Sequence, residues 1–267
     1  MVASMVARRA GDPLHILVTR PAGEAADLLC ETLTAAGYKA FSQPLLELMA
    51  TPPPDAAQRR ILQALDGYQH VIFISGNAVR YGMALIDDCW PQLPVGLSWY
   101  AVGAATAAGL ERFGITVVTP VNTMSSEGLL ALPPLQTVRE QRVLIVKGAG
   151  GRDTLRQELV RRGALVDELA CYRRSLPQLP AGELAARIAR WKIDLMLISS
   201  GEGLANLQLL LSPAESTKLK ATGMVVPSER VAQLALQAGF EHVATAENAS
   251  DAAMLHALRR WVSGAGE

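Results

Sequence analysis

The chain is poor in cysteine, in aromatic side chains and in net charge. Its three cysteines, Cys30, Cys89 and Cys171, are far apart and lack C-x-x-C spacing, so nothing supports a disulfide framework or a zinc site, and a reducing cytoplasm fits best. Lys plus Arg equals Asp plus Glu at 25 each among 267 residues. No overall field then favours nucleic acid or an acidic membrane surface, and any anionic ligand must be recognised locally. No apolar run approaches the about 18 residues that span a bilayer. Arg8 and Arg9 precede only the short run Leu14 to Val18, without a cleavage region, so residues 1–12 read as a flexible extension and not an export signal. Neither G-x-G-x-x-G nor G-x-x-x-x-G-K-[ST] occurs, which removes the usual support for dinucleotide and P-loop sites. His15, His70, His242 and His256 fall at strand starts or in a helix, away from the loops where a hydrolytic triad would need them.

Half of the residues are apolar and only 19% are charged, which is ample material for packed cores, and the length suits two domains of about 100 to 150 residues. Apolar runs rich in Val, Ile and Leu recur at His15 to Thr19, Val71 to Ser75, Trp99 to Val102, Thr116 to Thr119, Val143 to Lys147, Leu195 to Ser199, Met224 to Val226 and His242 to Thr245. Such runs read as parallel strands buried on both faces. Nearly every one is followed by a small or polar turn and a segment of helical spacing, such as Ala25, Leu28, Leu29, Leu33 and Ala36, which predicts helix-covered parallel sheets.

The pattern occurs twice. The segment from His15 resembles the one from Arg142, that from Val71 resembles that from Leu195, that from Ala101 resembles that from Val225, and that from Ser125 resembles that from Ser250. The order is permuted, because the His15 unit precedes the block 71 to 132 while its twin follows it. This predicts two similar flavodoxin-like parallel-sheet α/β domains, one inserted in the other. Domain 1 takes residues 13–40 and 178–262, and domain 2 takes 52–168. The segments 41–51 and 169–177, with Pro52, Pro53, Pro54, Pro177 and Pro180 close by, read as a two-stranded hinge; prolines in ordinary surface turns are the alternative. Residues 263–267 read as a flexible end.

In open parallel sheets, ligands bind beyond the strand carboxyl ends, where helix N-termini present unpaired N–H groups. The loops there are Arg20-Pro21-Ala22-Gly23, Ser75-Gly76-Asn77, Gly103-Ala104-Ala105-Thr106, Lys147-Gly148-Ala149-Gly150-Gly151-Arg152, Ser199-Ser200-Gly201 and Pro227-Ser228-Glu229-Arg230. Nearly all are small, hydroxylated or basic, which suits an anion, and they are expected to face each other across the gap between the domains. Each serine is also a plain helix cap. Tyr172, in Cys171-Tyr172-Arg173-Arg174, is expected on the connector outside both sheets, where its phenol either reaches the ligand or packs locally. Glu158, Arg161 and Arg162 read as a solvated helix face.

These residues resemble the uroporphyrinogen-III synthase family from about His15 to Trp261. The motifs are Val18 to Pro21, Val102 to Ala107, Lys147 to Arg152, Cys171 to Arg174, Ile198 to Gly201 and Val226 to Ala232. The resemblance implies two α/β domains joined by a two-stranded ladder. It also implies a cofactor-free, metal-free cyclisation of the linear tetrapyrrole hydroxymethylbilane, with loss of water and inversion of ring D through a spiro intermediate, in heme, siroheme or cobalamin biosynthesis. Helix N-termini and Ser, Gly and basic loops would hold the substrate's carboxylates, with Lys147 lacking the two-pronged geometry of arginine. Tyr172 would help the hydroxyl leave. The resemblance further implies a cytoplasmic monomer and a transient contact with hydroxymethylbilane synthase. The rival is a non-catalytic clamshell protein that binds a small polyanion, which predicts an export signal when periplasmic and gives Tyr172 no chemical role. A receiver-type regulatory module lacks its acidic cluster here.

Overall fold

Apolar central strands alternate with helices along the chain, and small, hydroxylated or basic residues follow close behind their carboxyl ends. The computed structural model describes residues 12–120, 123–151 and 153–264. Of the extensions expected over 1–12 and 263–267, residues 1–11 and 265–267 fall outside the described residues, and Ser263 caps the last helix.

The strands are β1 (His15–Val18), β2 (Lys39–Ser42), β3 (Glu47–Ala50), β4 (His70–Phe73), β5 (Ser98–Ala101), β6 (Val117–Val118), β7 (Arg142–Gly148), β8 (Leu165–Ser175), β9 (Leu195–Leu197), β10 (Gly223–Val226) and β11 (Val243–Thr245). All eight apolar runs of the sequence form strands. Ser75 and Ser199 lie just past the ends of β4 and β9, as the first polar residues of their loops.

Chain contacts divide the molecule into two units, Leu48–Arg174 and the described residues of Met1–Glu47 with Ser175–Glu267, so one unit is inserted in the sequence of the other. The outer unit holds a five-stranded sheet in the order β11-β10-β9-β1-β2, and the inserted unit a six-stranded sheet in the order β3-β8-β7-β4-β5-β6. Every neighbouring pair in the first sheet is parallel, as are β8-β7, β7-β4, β4-β5 and β5-β6 in the second. Laid side by side, β11-β10-β9-β1-β2 and β6-β5-β4-β7-β8 are one arrangement built from a permuted chain. The first strand-helix unit of the sequence plays in one sheet the part that the fourth plays in the other.

Parallel pairing requires each strand to return through a crossover, and the crossover helices cover both faces. Alternate strand residues therefore face separate core layers. In the outer unit Ile16, Val18, Leu195, Leu197 and Val225 pack on Leu29, Leu33, Met254 and Leu258, while Leu17, Met196, Met224 and Val226 pack on Leu184, Leu204, Val231 and Ala235. The inserted unit repeats this. Val71, Phe73, Leu144 and Val146 face Val79 and Met83 of helix Gly76–Asp87, and Ile72, Ile145 and Val143 face Leu129, Leu155 and Leu159.

Polar residues at the amino ends of strands are used up in the frame. His15 Nδ1 lies 2.5 Å from the Trp191 carbonyl, and His70 is held between the Tyr100 hydroxyl and the Gln141 side chain. The segments expected as connectors are also built into structure, since β3 lies beside β8 as the outermost strand of the six-stranded sheet.

The charged face of helix Thr154–Arg161 differs from the expectation of pure solvation. Arg162 donates to the carbonyls of Leu130 and Leu135 at 2.7 and 2.8 Å, closing the ends of two neighbouring helices, while its Nε and the Arg161 fork share the Glu158 carboxylate. Periodicity marks these residues as polar-faced, but carbonyls at helix ends are acceptors that only the fold brings within reach.

Hydrogen bonds from Arg161 and then Arg162 hold the Glu158 carboxyl down at about 2, against an ordinary 4.5. A carboxylate lowered in the folded state stabilises the fold above its unfolded value and loses that contribution as the pH falls through the folded one. Stability from Glu158 is thus present above about pH 4.5 and disappears toward pH 2. Glu158→Gln is expected to flatten the acid limb of the stability curve, measured by urea unfolding at neutral pH and at about pH 3; parallel acid losses in both proteins would contradict it.

Candidate functional site

Because β11, β10, β9, β1 and β2 run one way, as do β8, β7, β4, β5 and β6, their carboxyl ends and the helix N-termini that follow lie along one edge of each sheet. In the inserted unit that edge gathers the loops after β4, β5 and β7 together with Tyr172 of β8. Ser75, in extended conformation, caps helix Gly76–Asp87, its Oγ accepting the Ala78 N–H at 3.0 Å; Gly76 is exposed and Asn77 half-buried beside it. Gly103 begins helix Ala104–Glu111 with no side chain to satisfy the first amides, Ala104 is exposed, and Thr106 is buried two residues on.

After β7, Gly150 and Gly151 adopt positive φ of 75° and 94°, a left-handed backbone that glycine takes without strain. The side chain of Lys147 does not project into the loop. It is buried, with Nζ 3.0 Å from Glu168 and 3.5 Å from Asp153. A buried ammonium requires such partners, and they tie the start of the glycine loop to β8 and to the next helix. Arg152 lies outside the described residues.

Tyr172 corrects the expectation of a residue outside both sheets. It sits within β8, in register with Gly148 of β7 at a bulge, and is 3% exposed. Its carbonyl accepts the Ala149 N–H at 2.7 Å, and its ring stacks on Tyr81 with centroids 5.6 Å apart. The phenol oxygen reaches Ser75 Oγ at 3.2 Å. A Cβ at Gly148 would lie 2.6 Å from Tyr172 Cζ, so the glycine is what lets the ring enter. The extended, proline-flanked sequence around Tyr172 resembles a linker because β8, at 11 residues, runs on past the 7 residues of its partner β7. Cys171 beside it is no nucleophile: burial pushes its thiol up to about 12.

Sequence reasoning missed Tyr81, whose hydroxyl donates to the Leu48 carbonyl at 2.8 Å and fixes the ring on which Tyr172 rests. Its position in helix Gly76–Asp87 gave only a helical spacing. Glu168 and Asp153 were missed too, since a buried partner is recognised only once its cation is placed.

The outer unit repeats the edge with different chemistry. Thr19, next to Arg20, donates to the Leu197 carbonyl at 2.7 Å and so links the ends of β1 and β9. Arg20, followed by half-buried Pro21, is held by Asp251 at 2.7 Å and by the Ala25 carbonyl at 3.2 Å. Past β9, Ser199 is half-buried and Ser200 caps helix Gly201–Leu210 by accepting the Gly203 N–H at 3.0 Å. Past β10, Ser228 begins helix Glu229–Gln237 without a side-chain cap bond. Arg230 brings its guanidinium over Gly201, 3.5 Å from where a methyl group would stand. A cation above a helix N-terminus, beside hydroxyls and small residues, suits a carboxylate.

Two doubly covered parallel sheets from an interleaved repeat, each edged with hydroxyl, glycine and basic loops, define a two-unit α/β protein. The family model described as "Uroporphyrinogen-III synthase HemD" matches residues 27–256. The uroporphyrinogen-III synthase of Salmonella typhimurium is 35% identical over 252 residues, which cover 92% of this chain and 100% of that protein. That of Escherichia coli is 32% identical with the same coverage. The fold is shared with the solved uroporphyrinogen-III synthetase of Helicobacter pylori at a TM-score of 0.59 and 14% identity, covering 92% of this chain and 98% of that one. A mutant uroporphyrinogen III synthase of Thermus thermophilus gives 0.54 and 18%, covering 94% and 99%. The chain belongs to the uroporphyrinogen-III synthase family.

Gly148→Ala is expected to force the Tyr172 ring out of its slot and destabilise the protein by about 1–3 kcal/mol, as overpacking does, whereas Gly76→Ala, with open space at its Cβ, is tolerated. Urea unfolding with near-UV circular dichroism checks this; an unchanged midpoint and tyrosine signal in Gly148→Ala would contradict it.

Proposed function

We propose that this protein closes hydroxymethylbilane to uroporphyrinogen III, inverting ring D and releasing water. The observation that carries the proposal is the match to the Salmonella typhimurium uroporphyrinogen-III synthase along that protein's entire length. A clamshell polyanion binder accounts for basic strand-end loops but not for that match.

The reaction is a dehydration with no change of oxidation state, so side chains and amides can supply all that it needs, and the proposal includes cofactor independence. What the protein has to do is position a flexible, carboxylate-rich chain and stabilise a cation that forms when the terminal hydroxyl leaves. In the proposed site the carboxylates are held by the backbone at Ser75, Gly76, Asn77, Gly103, Ala104, Gly148 and Gly151, by Thr106 and by Arg152, while the Ser75 hydroxyl is engaged by Ala78 and Tyr172. The other unit contributes Arg20, Pro21, Ser199, Ser200, Gly201, Ser228 and Arg230. Lys147 takes part by anchoring its loop, since its ammonium is already bound by Glu168 and Asp153. Tyr172 acts as the proton or hydrogen-bond donor to the leaving hydroxyl.

The partition into residues 13–40 with 178–262, and 52–168, belongs to the same proposal. So does action as a cytoplasmic monomer: the substrate cyclises unaided to the symmetric isomer, which favours a short transfer from hydroxymethylbilane synthase. Among the described residues no helix is long and apolar enough to cross a membrane.

Hydroxymethylbilane generated in the presence of the protein, followed by oxidation and separation of isomers, tests the reading. Type III product is expected, and type I alone would reject it. Tyr172→Phe is expected to lower turnover by about 10²-fold, and a wild-type rate in that variant would remove Tyr172 from the chemistry.

A further inference from the structure

Either hydroxyl of the Ser75–Tyr172 contact can donate, and the surroundings favour one direction. Ser75 Oγ has two partners, the Ala78 N–H at 3.0 Å and the Tyr172 hydroxyl oxygen at 3.2 Å. An amide N–H can only donate, so it occupies a lone pair of Oγ. The serine's own hydrogen then has one acceptor among the described residues, the phenol oxygen. Accepting from the amide polarises the serine O–H and makes it a stronger donor. Ser75 also stands at the N-terminus of a 12-residue helix, whose positive end favours negative charge on an oxygen next to it. Both effects favour a phenol that accepts from Ser75 and keeps its own proton for another partner.

We infer that Ser75 is a positioning residue that donates its hydroxyl proton to the phenol oxygen of Tyr172, leaving the phenol proton directed to the substrate's leaving hydroxyl. This rests on the reaction proposed above and deepens it. Tyr172 gives its proton to the terminal hydroxyl, the C–O bond breaks with its electron pair on oxygen, and water departs. The adjacent pyrrole nitrogen stabilises the carbon cation, and the phenolate is held by Ser75 Oγ–H. Ring closure later expels a proton from the attacked ring carbon, and that proton restores the phenol. One water is lost, and nothing is oxidised or reduced. Tyr81 and Gly148 keep the ring in this pose by stacking on it and by leaving room for it.

Ser75→Gly separates this role from helix capping, because glycine at an N-cap costs only a few tenths of a kcal/mol. Wild type, Ser75→Gly, Ser75→Thr, Tyr172→Phe and the Ser75→Gly/Tyr172→Phe pair are compared. If Ser75 acts through the phenol, Ser75→Gly lowers kcat by about tenfold with KM within about twofold, and Ser75→Thr restores the rate. The pair is then no slower than Tyr172→Phe alone. Losses that multiply in the pair, a rise in KM alone, or a wild-type kcat in Ser75→Gly overturn the inference.

A second readout needs no turnover. In protein carrying ring-¹³C tyrosine, with the Tyr172 signal assigned by its loss in Tyr172→Phe, removal of a donor to the phenol oxygen moves the Tyr172 Cζ signal at neutral pH to lower field in Ser75→Gly, and Ser75→Thr returns it. A Cζ signal that is unchanged or moves to higher field means that Tyr172 does not accept from Ser75, and the inference fails. Absence of type III product from the wild type would reject the proposed reaction, while the Cζ signal would still decide the hydrogen bond.

Discussion

Parallel strand pairing is the constraint on which the rest depends. A parallel strand cannot be reached by a tight turn, so strands within a sheet are joined through helices, each sheet is covered on both faces, and the central strands are apolar on both sides. The same pairing points all carboxyl ends one way and collects at one edge the residues released from the core. Each unit therefore has a frame edge, where His15 or His70 is absorbed into structural hydrogen bonds, and an opposite edge lined by glycine and serine loops.

That double burial is also why the architecture was legible in the sequence. Runs such as Val71 to Phe73 and Leu195 to Leu197 contain no polar residue to blur their limits, and the four recurring units could be matched by eye. The permutation followed from the place of the His15 segment ahead of its partners, and the two sheets carry it as one strand order made from two chain orders. The candidate edge followed from topology with no knowledge of side-chain positions.

What was illegible depended on distance in sequence. Lys147 looked like a free cation because Glu168 is 21 residues away, and only the pairing of β7 with β8 brings it to 3.0 Å. Arg20 resembled an open anion contact for the same reason, its partner Asp251 lying at the far end of the chain. Tyr172 was assigned to a linker because an outer strand running past its neighbours has the extended, proline-flanked character of one; the bulge at Gly148 and the stacking on Tyr81 that place it beside Ser75 leave no local signature. The hydroxyl and glycine positions lie just past the strand ends, where the sequence pattern put them.

The central claim is that the carboxyl-end loops of both sheets recognise the tetrapyrrole while the opposite edges serve the fold. Amide chemical-shift mapping with uroporphyrinogen III added under anaerobic conditions tests it most directly. The account predicts perturbations at Ser75 to Ala78, Gly103 to Thr106, Ser199 to Gly201 and Ser228 to Arg230, with His15, His70 and Arg142 unmoved. Shifts centred on His70 and Arg142, with those loops silent, would contradict it.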